Sequence, residues 1–169
     1  NDNNYDIYVQ VRPGAENFLR TLCGLCYNSN TSSDSSSTGF IFDVFIFTAS
    51  MAEYAVPVMQ RIAPWFPSCR VLTRQHCKCL QNQVSNTTIV VKDLTIFKDR
   101  SISKMILVDN AAESFLLQPQ NGILVSTWIG DVTDTVLIQD GPGSLMHFLK
   151  VCAMSDDVRS VISQAFPDI

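Results

Sequence analysis

The chain has 169 residues, of which 46% are hydrophobic, so it is long enough to bury the core of one globular domain. Sixteen acidic residues against twelve basic ones give a formal charge of −4, which argues against direct binding to a nucleic-acid phosphate backbone. No apolar run reaches the roughly 18 residues that a membrane-spanning helix needs, and the polar start is unlike a signal peptide, so we expect no membrane span.

The N-terminal part of the chain predicts a strand, a helix and a polar loop. Apolar and polar residues alternate in "YDIYVQVRPG", which favours a strand that ends at the turn Pro13-Gly14. Helical spacing of apolar residues predicts a helix over residues 15–27. Residues 28–39, "NSNTSSDSSSTG", lack apolar side chains, so we expect an exposed loop inside a single domain that spans residues 5–166.

The Ser-rich loop is predicted to be dispensable for stability. Replacing residues 28–39 by a short Gly-Ser link should shift the melting temperature by no more than about 2 °C, because surface changes without packing contacts are nearly neutral. Thermal unfolding followed by circular dichroism measures this. A drop of many degrees would show that the loop packs against the domain.

The middle of the chain predicts a buried strand followed by a helix. "FIFDVFIFT" is a nearly continuous apolar run that ends at Thr48, as in a strand of a parallel sheet covered on both faces. Ser50 and Glu53 have the spacing of a capping box, so we expect a helix that starts at Ser50. Pro57 falls near the middle of this helix, which should end near Pro64.

The remaining segments continue the alternation of strands and helices. "CRVLTRQHC" and "TTIVVKDL" predict short strands around a polar turn. "KMILVDNAAESF" predicts a strand that ends at Asp109-Asn110 and leads into a helix, "GILVST" a further strand, and residues 144–165 a mostly helical tail. This order favours an α/β fold with a parallel sheet flanked by helices.

Two predicted strands end on polar side chains that could form a site. Thr48 and Asp109 should lie at the same edge of the sheet, because ligands of such sheets bind at the carboxyl ends of the strands. A carboxylate there suits Mg²⁺, and a hydroxyl together with the ammonium of Lys92 could hold a phosphate. The alternative is local: Thr48 satisfies a backbone group and Asp109 caps the next helix. Spacing alone leaves both interpretations open.

The six cysteines allow a zinc site in principle. Cys23 and Cys26 form C-x-x-C, and Cys77 and Cys79 form C-x-C, so four ligands would have to meet in space. The first pair, however, shares a helical face with leucines. We therefore expect reduced core thiols of an intracellular protein.

Six sequence blocks resemble the FCP/SCP family of phosphatases, which belongs to the haloacid dehalogenase (HAD) superfamily. They occur in the family's order and cover most of residues 8–149: "RPGAENFL", "FDVFIFTASMAEYAVPVMQRIAP", "TRQHC", "VVKDL", "KMILVDNAAESF" and "NGILVSTWIGDVTDTVL". The resemblance implies a HAD-like, Rossmannoid parallel sheet with a small β insert. It also implies Mg²⁺-dependent dephosphorylation of phosphoserine or phosphothreonine in proteins, notably the C-terminal tail of RNA polymerase II.

The resemblance also assigns roles to individual residues. Thr48 matches the residue that binds the transferring phosphoryl group, and Lys92 matches the lysine that neutralises its charge. Asp109 matches the metal-binding acid, and Asn110 the polar residue beside it. Arg74 matches an arginine of the substrate-side insert, where the phosphorylated peptide docks.

One departure from the family concerns the nucleophile. The family's D-x-D-x-T motif supplies an attacking aspartate and a general acid from a central strand, between the strands that end here at Thr48 and Asp109. No two aspartates of this chain lie two positions apart. We expect the gap to be filled by sequence upstream of Asn1, by a partner chain that completes the sheet, or by an inward-moved N-terminal segment, and we favour the first.

Two functions therefore remain open at the level of sequence. One is a protein phosphatase that acts on a phosphorylated protein or peptide tail, with the nucleus as the preferred compartment. The other is a catalytically inactive binding or scaffold protein with the same fold, such as a mitochondrial import receptor-like subunit. "FTAS" favours the phosphatase branch, although Gln75 replaces the usual glutamate of the family.

Overall fold

The computed structural model describes residues 8–25, 42–82 and 86–167. The Ser-rich loop predicted over residues 28–39 lies outside these ranges. The described elements, in chain order, are α1 (Ala15–Leu22), β1 (Ile46–Phe47), α2 (Ala52–Ile62), β2 (Val71–Leu72), β3 (Lys78–Asn82), β4 (Thr87–Val91), β5 (Leu107–Asp109), β6 (Gly122–Leu124), α3 (Leu145–Ala153) and α4 (Val158–Ala165).

The strands form two parallel pairs and one antiparallel hairpin. β1 runs parallel to β2, and β5 runs parallel to β6 with Asp109 opposite Leu124. β3 and β4 pair antiparallel over five residues, from Lys78 opposite Val91 to Asn82 opposite Thr87. Two parallel pairs, one connected through α2 and the other through short 3₁₀ turns, together with one small hairpin, confirm the predicted α/β class and the small β insert.

A shared hydrophobic core joins the two parallel pairs. Val44, just before β1, and Val108 of β5 both pack against the same buried cluster, which contains Ile123 of β6. α3 and α4 cover this cluster with the buried side chains of Met146, Leu149, Cys152, Val158 and Ile162. Because the segment that enters β1 and β5 itself pack on one core, the carboxyl ends of the two strands are held in a defined relation to each other.

β1 and β5 nevertheless do not pair with each other within the described residues. In the part of the chain that the structure describes, each has a ladder partner on one side only, β2 for β1 and β6 for β5. The long covered strand predicted from "FIFDVFIFT" is therefore wrong in extent: only Ile46 and Phe47 form a ladder, and both are half-buried. The physical reason is that a strand exists only as far as a neighbour offers backbone partners, and β2 is two residues long.

The strand predicted at the N terminus is not formed by residues 8–12. Tyr8 to Gln10 are exposed, with Tyr8 96% accessible, and no described strand lies alongside to accept their backbone hydrogen bonds. The predicted turn at Pro13-Gly14 is present, with Gly14 in the left-handed region at φ 79°. A side chain at Gly14 would also collide with Ile138, whose Cγ1 lies 2.7 Å from the position of an added Cβ.

Several helix boundaries differ from the prediction. α1 ends at Leu22 rather than Tyr27, because Gly24 turns the chain with a φ of 69°. The capping box at Ser50 is wrong: α2 begins after Met51, and no side chain caps it. Pro57 does lie inside α2, as predicted.

Other local predictions are confirmed only in part. The helix expected after Asp109-Asn110 is only a short 3₁₀ turn, Ala112–Phe115, and β3 was not predicted as a strand of its own. The helical tail is confirmed as α3 and α4. Among the described residues five cysteines are free thiols, but only Cys152 is buried, so the expectation of core thiols holds for that one. None of the helices that the structure describes is long and apolar enough to cross a membrane.

Candidate active site

Lys92 and Asp109 form a buried ion pair at the carboxyl ends of β4 and β5. The Lys92 ammonium contacts Oδ2 of Asp109, and the two side chains are only 11% and 8% exposed. The backbone N–H of Lys92 donates to the carbonyl oxygen of Ser114 at 2.8 Å, which fixes the chain where the lysine leaves β4. The other carboxylate oxygen of Asp109 accepts the N–H of Ala111 at 2.9 Å. The pair is therefore held from both sides, and each charge is compensated by the other.

A pocket of about 400 Å³ surrounds this ion pair. Its wall is built from the end of β5, the segment that follows β6, and one residue of the N-terminal segment. The lining residues are Arg12, Lys92, Val108, Asp109, Asn110, Val125, Thr127, Trp128 and Leu137. Three of the five residues predicted from the sequence, Lys92, Asp109 and Asn110, thus share one pocket.

Thr48 lies outside the residues that line this pocket, on the neighbouring loop after β1. Its backbone N–H donates to Leu72 O at 2.9 Å, and its hydroxyl oxygen accepts the N–H of Ser50 at 3.1 Å. The preceding residue, Phe47, links it to the ion pair, since the Lys92 ammonium lies 6.0 Å from the centre of the Phe47 ring. Thr48 therefore satisfies a local backbone group, as the alternative interpretation expected. It also directly follows Phe47, whose ring lies near the Lys92 ammonium.

Arg74 belongs to the Thr48 side of the site. Its Nε donates to the carbonyl oxygen of Ala49 at 2.6 Å, and its backbone N–H donates to Ser50 O at 2.9 Å. These bonds tie the 3₁₀ turn that precedes the β3–β4 hairpin to the loop after β1. Arg74 thus braces the loop that carries Thr48 and does not contact the Lys92–Asp109 pair directly.

Cys77 contacts the loop that carries Thr48. Its thiol approaches the carbonyl oxygen of Thr48 at 3.7 Å. Burial raises the pKa of this thiol, and the nearby positive charge of Lys92 offsets only part of that rise. Cys77 is therefore a neutral thiol at pH 7 that contacts the backbone of the Thr48 loop.

Asp93 anchors the chain directly after Lys92. It is 2% exposed and accepts hydrogen bonds from the N–H and hydroxyl of Thr95, from the Gln118 amide and from the ammonium of Lys78. Burial alone would raise the pKa of this carboxyl, but these donors outweigh it and hold the pKa far below its usual value. Asp93 thereby connects the chain directly after β4 to Lys78 at the start of β3 and to Gln118 outside the insert.

Sequence reasoning missed Arg12 as a residue of this site. Arg12 lines the pocket and makes a two-pronged salt bridge with Asp134, which lies 122 positions later. It belongs to the "RPG" block, so a signal was present. Its partner could not be read from spacing, because the two residues meet only after β6 has brought the chain back to the pocket.

The described residues alone do not form a magnesium site. Mg²⁺ needs several oxygen ligands in octahedral geometry, some of them water or phosphate oxygens. One oxygen of Asp109 is taken by Lys92, and one amide proton of Asn110 is donated to the Thr127 hydroxyl at 3.1 Å. No group of three or more acidic, histidine or cysteine residues close enough to hold a metal exists in the described parts of the chain. A second acidic group would be needed beside Asp109.

Comparison with known proteins identifies the family. The family described as NLI interacting factor-like phosphatase matches residues 1–159. Human CTD small phosphatase-like protein is 31% identical over 158 residues, which cover 94% of this chain and 47% of that protein. Human carboxy-terminal domain RNA polymerase II polypeptide A small phosphatase 1 is 28% identical over 163 residues, covering 96% and 52%.

A yeast relative extends the comparison. Nuclear envelope morphology protein 1 of Saccharomyces cerevisiae is 34% identical over 131 residues, which cover 72% of this chain and 28% of that protein. The chain spans about half the length, or less, of these curated relatives. The fold agrees with the HAD-like architecture of the family. On these grounds the chain belongs to the NLI interacting factor-like (FCP/SCP) phosphatase family.

Proposed function

We propose that these residues are part of a Mg²⁺-dependent protein serine/threonine phosphatase domain that acts through an aspartyl-phosphate. The attacking aspartate would come from a D-x-D-x-T strand that is not among the 169 residues. The observation that supports this most directly is the buried Lys92–Asp109 pair at the edge of β5 that has no ladder partner among the described residues. Burying two charges is expensive, and a site that handles a phosphate needs both of them.

The proposed strand fits between β1 and β5. Both strands keep one edge without a ladder partner among the described residues, and both rest on the same core through Val44 and Val108. A strand placed there would bond to both edges and remove unpaired backbone groups that cost about 1–3 kcal/mol each when buried. The carboxyl end of the added strand would bring an acidic residue beside Lys92. The Lys92 ammonium could then move from Asp109 to that residue.

The residues of this chain would bind and orient the phosphoryl group. Lys92 would neutralise charge on the phosphoryl oxygens and on the nucleophile, and the Thr48 hydroxyl would donate a hydrogen bond to one of those oxygens. Phosphoryl transfer depends mainly on such positioning and charge stabilisation. Asp109 and Asn110, with the acidic residues of the added strand, would hold Mg²⁺, which neutralises phosphate charge. Arg74 would contact the substrate peptide.

The proposed substrate is a phosphorylated protein or peptide tail. Two relatives are named as phosphatases of the RNA polymerase II carboxy-terminal domain or as similar to them, and one is named for the nuclear envelope. We therefore propose phosphoserine or phosphothreonine as the target and the nucleus as the compartment. A net charge of −4 gives no support for direct nucleic-acid binding.

A second candidate function is a non-catalytic binding protein with the same fold. The observation that favours it is the sequence itself, in which no two aspartates lie two positions apart. The closed Lys92–Asp109 pair would then be a structural ion pair only. In this case a partner chain would complete the sheet between β1 and β5.

Turnover separates the two functions. The 169-residue chain alone should not hydrolyse an aryl phosphate or a phosphoserine peptide, with or without Mg²⁺, because none of its aspartates belongs to a D-x-D-x-T motif that would supply the nucleophile. The full-length gene product, if it carries a D-x-D-x-T strand, should be active. In that full-length protein, Asp109→Asn should both lower the rate and raise the Mg²⁺ concentration needed for half-maximal rate.

The opposite results are equally informative. Turnover by the 169-residue chain that Asp109→Asn abolishes would make Asp109 the attacking residue and contradict its assignment as a metal ligand. A full-length protein with an intact motif that turns over no phosphoester would support the binding function. Asp140→Asn is the matched control, because Asp140 pairs with Lys150 on the surface, away from the pocket lining.

A further inference from the structure

We propose that Arg12 and Asp134 are positioning residues that set the orientation of the Asn110 side chain through the segment Ser126–Thr127. The link consists of hydrogen bonds between described residues and can be followed atom by atom. Its catalytic consequence rests on the proposed function, whereas the structural link itself does not.

The first step of the link is the fork of Arg12. Nε and one terminal nitrogen donate to the two carboxylate oxygens of Asp134, at 2.8 and 2.7 Å. The other terminal nitrogen, Nη1, donates to the carbonyl oxygen of Ser126 at 2.9 Å. Nη2, which also binds Asp134, donates a second hydrogen bond to the Ser126 hydroxyl at 2.9 Å. The side chains of Arg12 and Asp134 are 14% and 13% exposed, so the pair is largely shielded from water. One guanidinium thus clamps two separate points of the segment that follows β6.

The second step connects the clamped segment to Asn110. The strand register carries on past β6, because the N–H of Val125 donates to the carbonyl oxygen of Asp109 at 2.9 Å. Arg12 holds the next residue, Ser126, and Thr127 follows with its hydroxyl 3.1 Å from Nδ2 of Asn110. Thr127 is therefore fixed through both of its preceding neighbours. In the structure this hydroxyl accepts an N–H of Asn110, so the amide nitrogen faces the segment.

The consequence is a defined orientation of the amide oxygen. With Nδ2 directed at Thr127, the oxygen of Asn110 is at the opposite end of the amide group. An amide released from Thr127 would sample both orientations, whereas the bonded amide keeps its oxygen on the side away from the segment and available as a ligand. Because a site has to be held close to its productive geometry, loosening the segment should weaken cation binding without removing any ligand.

The carboxylate of Asp134 is itself held in place. Its Oδ1 also accepts the N–H of Val136 at 3.1 Å, and the hydrogen bonds from Arg12 lower the pKa of this carboxyl below its ordinary value. The loop before it is closed by Asp131, which accepts the hydroxyl and N–H of Thr133. Arg12 therefore pairs with a carboxylate on a structured loop, as a fixed anchor requires.

The test follows the side-chain amide resonances of Asn110 by NMR in the full-length protein. Thr127→Val removes the acceptor at constant shape and defines the signal of a released amide. Arg12→Lys keeps the positive charge but loses the four-pronged geometry, because an ammonium cannot match it. If the link exists, Arg12→Lys should move the Asn110 amide resonances towards those of Thr127→Val. It should also speed the exchange of the Asn110 amide protons with solvent about three- to tenfold, the change expected when about one hydrogen bond is lost.

Controls separate this link from general loosening. Arg20→Lys is the matched substitution, since Arg20 pairs with Glu16 on the exposed face of α1, and it should leave the Asn110 signals unchanged. The double variant Arg12→Lys with Thr127→Val should show no further change in the Asn110 signals beyond Thr127→Val alone. Unchanged Asn110 resonances in Arg12→Lys, whatever happens to the melting temperature, would overturn the proposal. Asp134→Asn gives the same readout if Arg12→Lys does not fold.

An activity measurement adds the catalytic consequence. In an active full-length protein, Arg12→Lys should raise the Mg²⁺ concentration for half-maximal rate and lower kcat, with the KM for a phosphopeptide unchanged. A rise in the KM for the phosphopeptide alone would mean that Arg12 acts on the substrate, which would contradict a positioning role. If no full-length protein shows turnover, the proposed function fails, and the NMR result still decides whether Arg12 orients Asn110.

Discussion

Replacing Lys92 by Met is expected to lower kcat/KM of the active full-length protein about 10²- to 10³-fold, the usual effect of removing one preorganised charge from a transition state. The Lys92 side chain is 11% exposed and lines the pocket beside Asp109, so its charge acts where little water competes with it. Lys92→Arg should restore little activity, because a planar guanidinium does not fit the position of a compact ammonium. Steady-state kinetics on an aryl phosphate measure this.

A double-variant cycle distinguishes catalysis from stability. In the 169-residue chain, where Lys92 pairs with Asp109, Lys92→Met alone should reduce the free energy of unfolding by about 3–5 kcal/mol, because it leaves the Asp109 carboxylate buried without its partner. Lys92→Met combined with Asp109→Asn removes both charges and should bring the free energy of unfolding back to within about 1 kcal/mol of wild type. In the active full-length protein, activity should stay lost in both variants. A double variant that regained turnover would contradict the role of Lys92 in charge stabilisation.

The parts of the site that follow a strand in the sequence were the parts that could be predicted. Asp109 and Asn110 end a compact apolar run, and Lys92 ends "TTIVV", so each could be placed at a strand end from the pattern alone. The structure gathers these three residues in one pocket. The assignment of their chemical roles came from the resemblance and stays a prediction.

Features that depend on distant or incomplete pairing could not be predicted. The strand before Thr48 is two residues long because its ladder is set by β2, although its apolar run is nine residues long. Local propensity describes what a segment can form, whereas the neighbouring strand decides how much of it forms. The Arg12–Asp134 pair illustrates the same limit, because 122 positions separate its members.

The capping error at Ser50 has a local cause. The Ser50–Glu53 spacing is correct for a capping box, but the N–H of Ser50 is already bonded to the Thr48 hydroxyl, and the Ser50 carbonyl accepts from Arg74. The chain around Ser50 is thus committed to the loop that carries Thr48. α2 starts only at Ala52, with Met51 in the N-cap position. The hydrogen bonds of a loop at a site can thus prevent a helix from starting where the local sequence predicts it.

Replacing Asp93 by Asn is expected to lower the free energy of unfolding by about 2–4 kcal/mol at pH 7, because it breaks an ion pair whose carboxylate is buried and weakens several hydrogen bonds to that carboxylate. Asp93 is 2% exposed, while its partner Lys78 remains more than half exposed and can be solvated again, which keeps the loss below that of two buried charges. Chemical denaturation at constant salt measures the difference. Asp140→Asn, at an exposed pair with Lys150, should cost no more than about 1 kcal/mol and serves as the control.

The pH dependence of this difference has a definite sign. Burial raises the pKa of the Asp93 carboxyl, but the donors from Lys78, Thr95 and Gln118 outweigh burial, so the pKa is lower in the folded protein than in the unfolded chain. The carboxylate therefore contributes its full stability above the unfolded pKa of about 3.9, and this contribution is lost as the pH falls below that value. The gap between wild type and Asp93→Asn should be constant from about pH 6 to pH 8, within about 0.5 kcal/mol, and should narrow below about pH 4. A gap that stayed constant down to about pH 3 would show that the charge of Asp93 does not carry the effect, and that the shape of the buried side chain does.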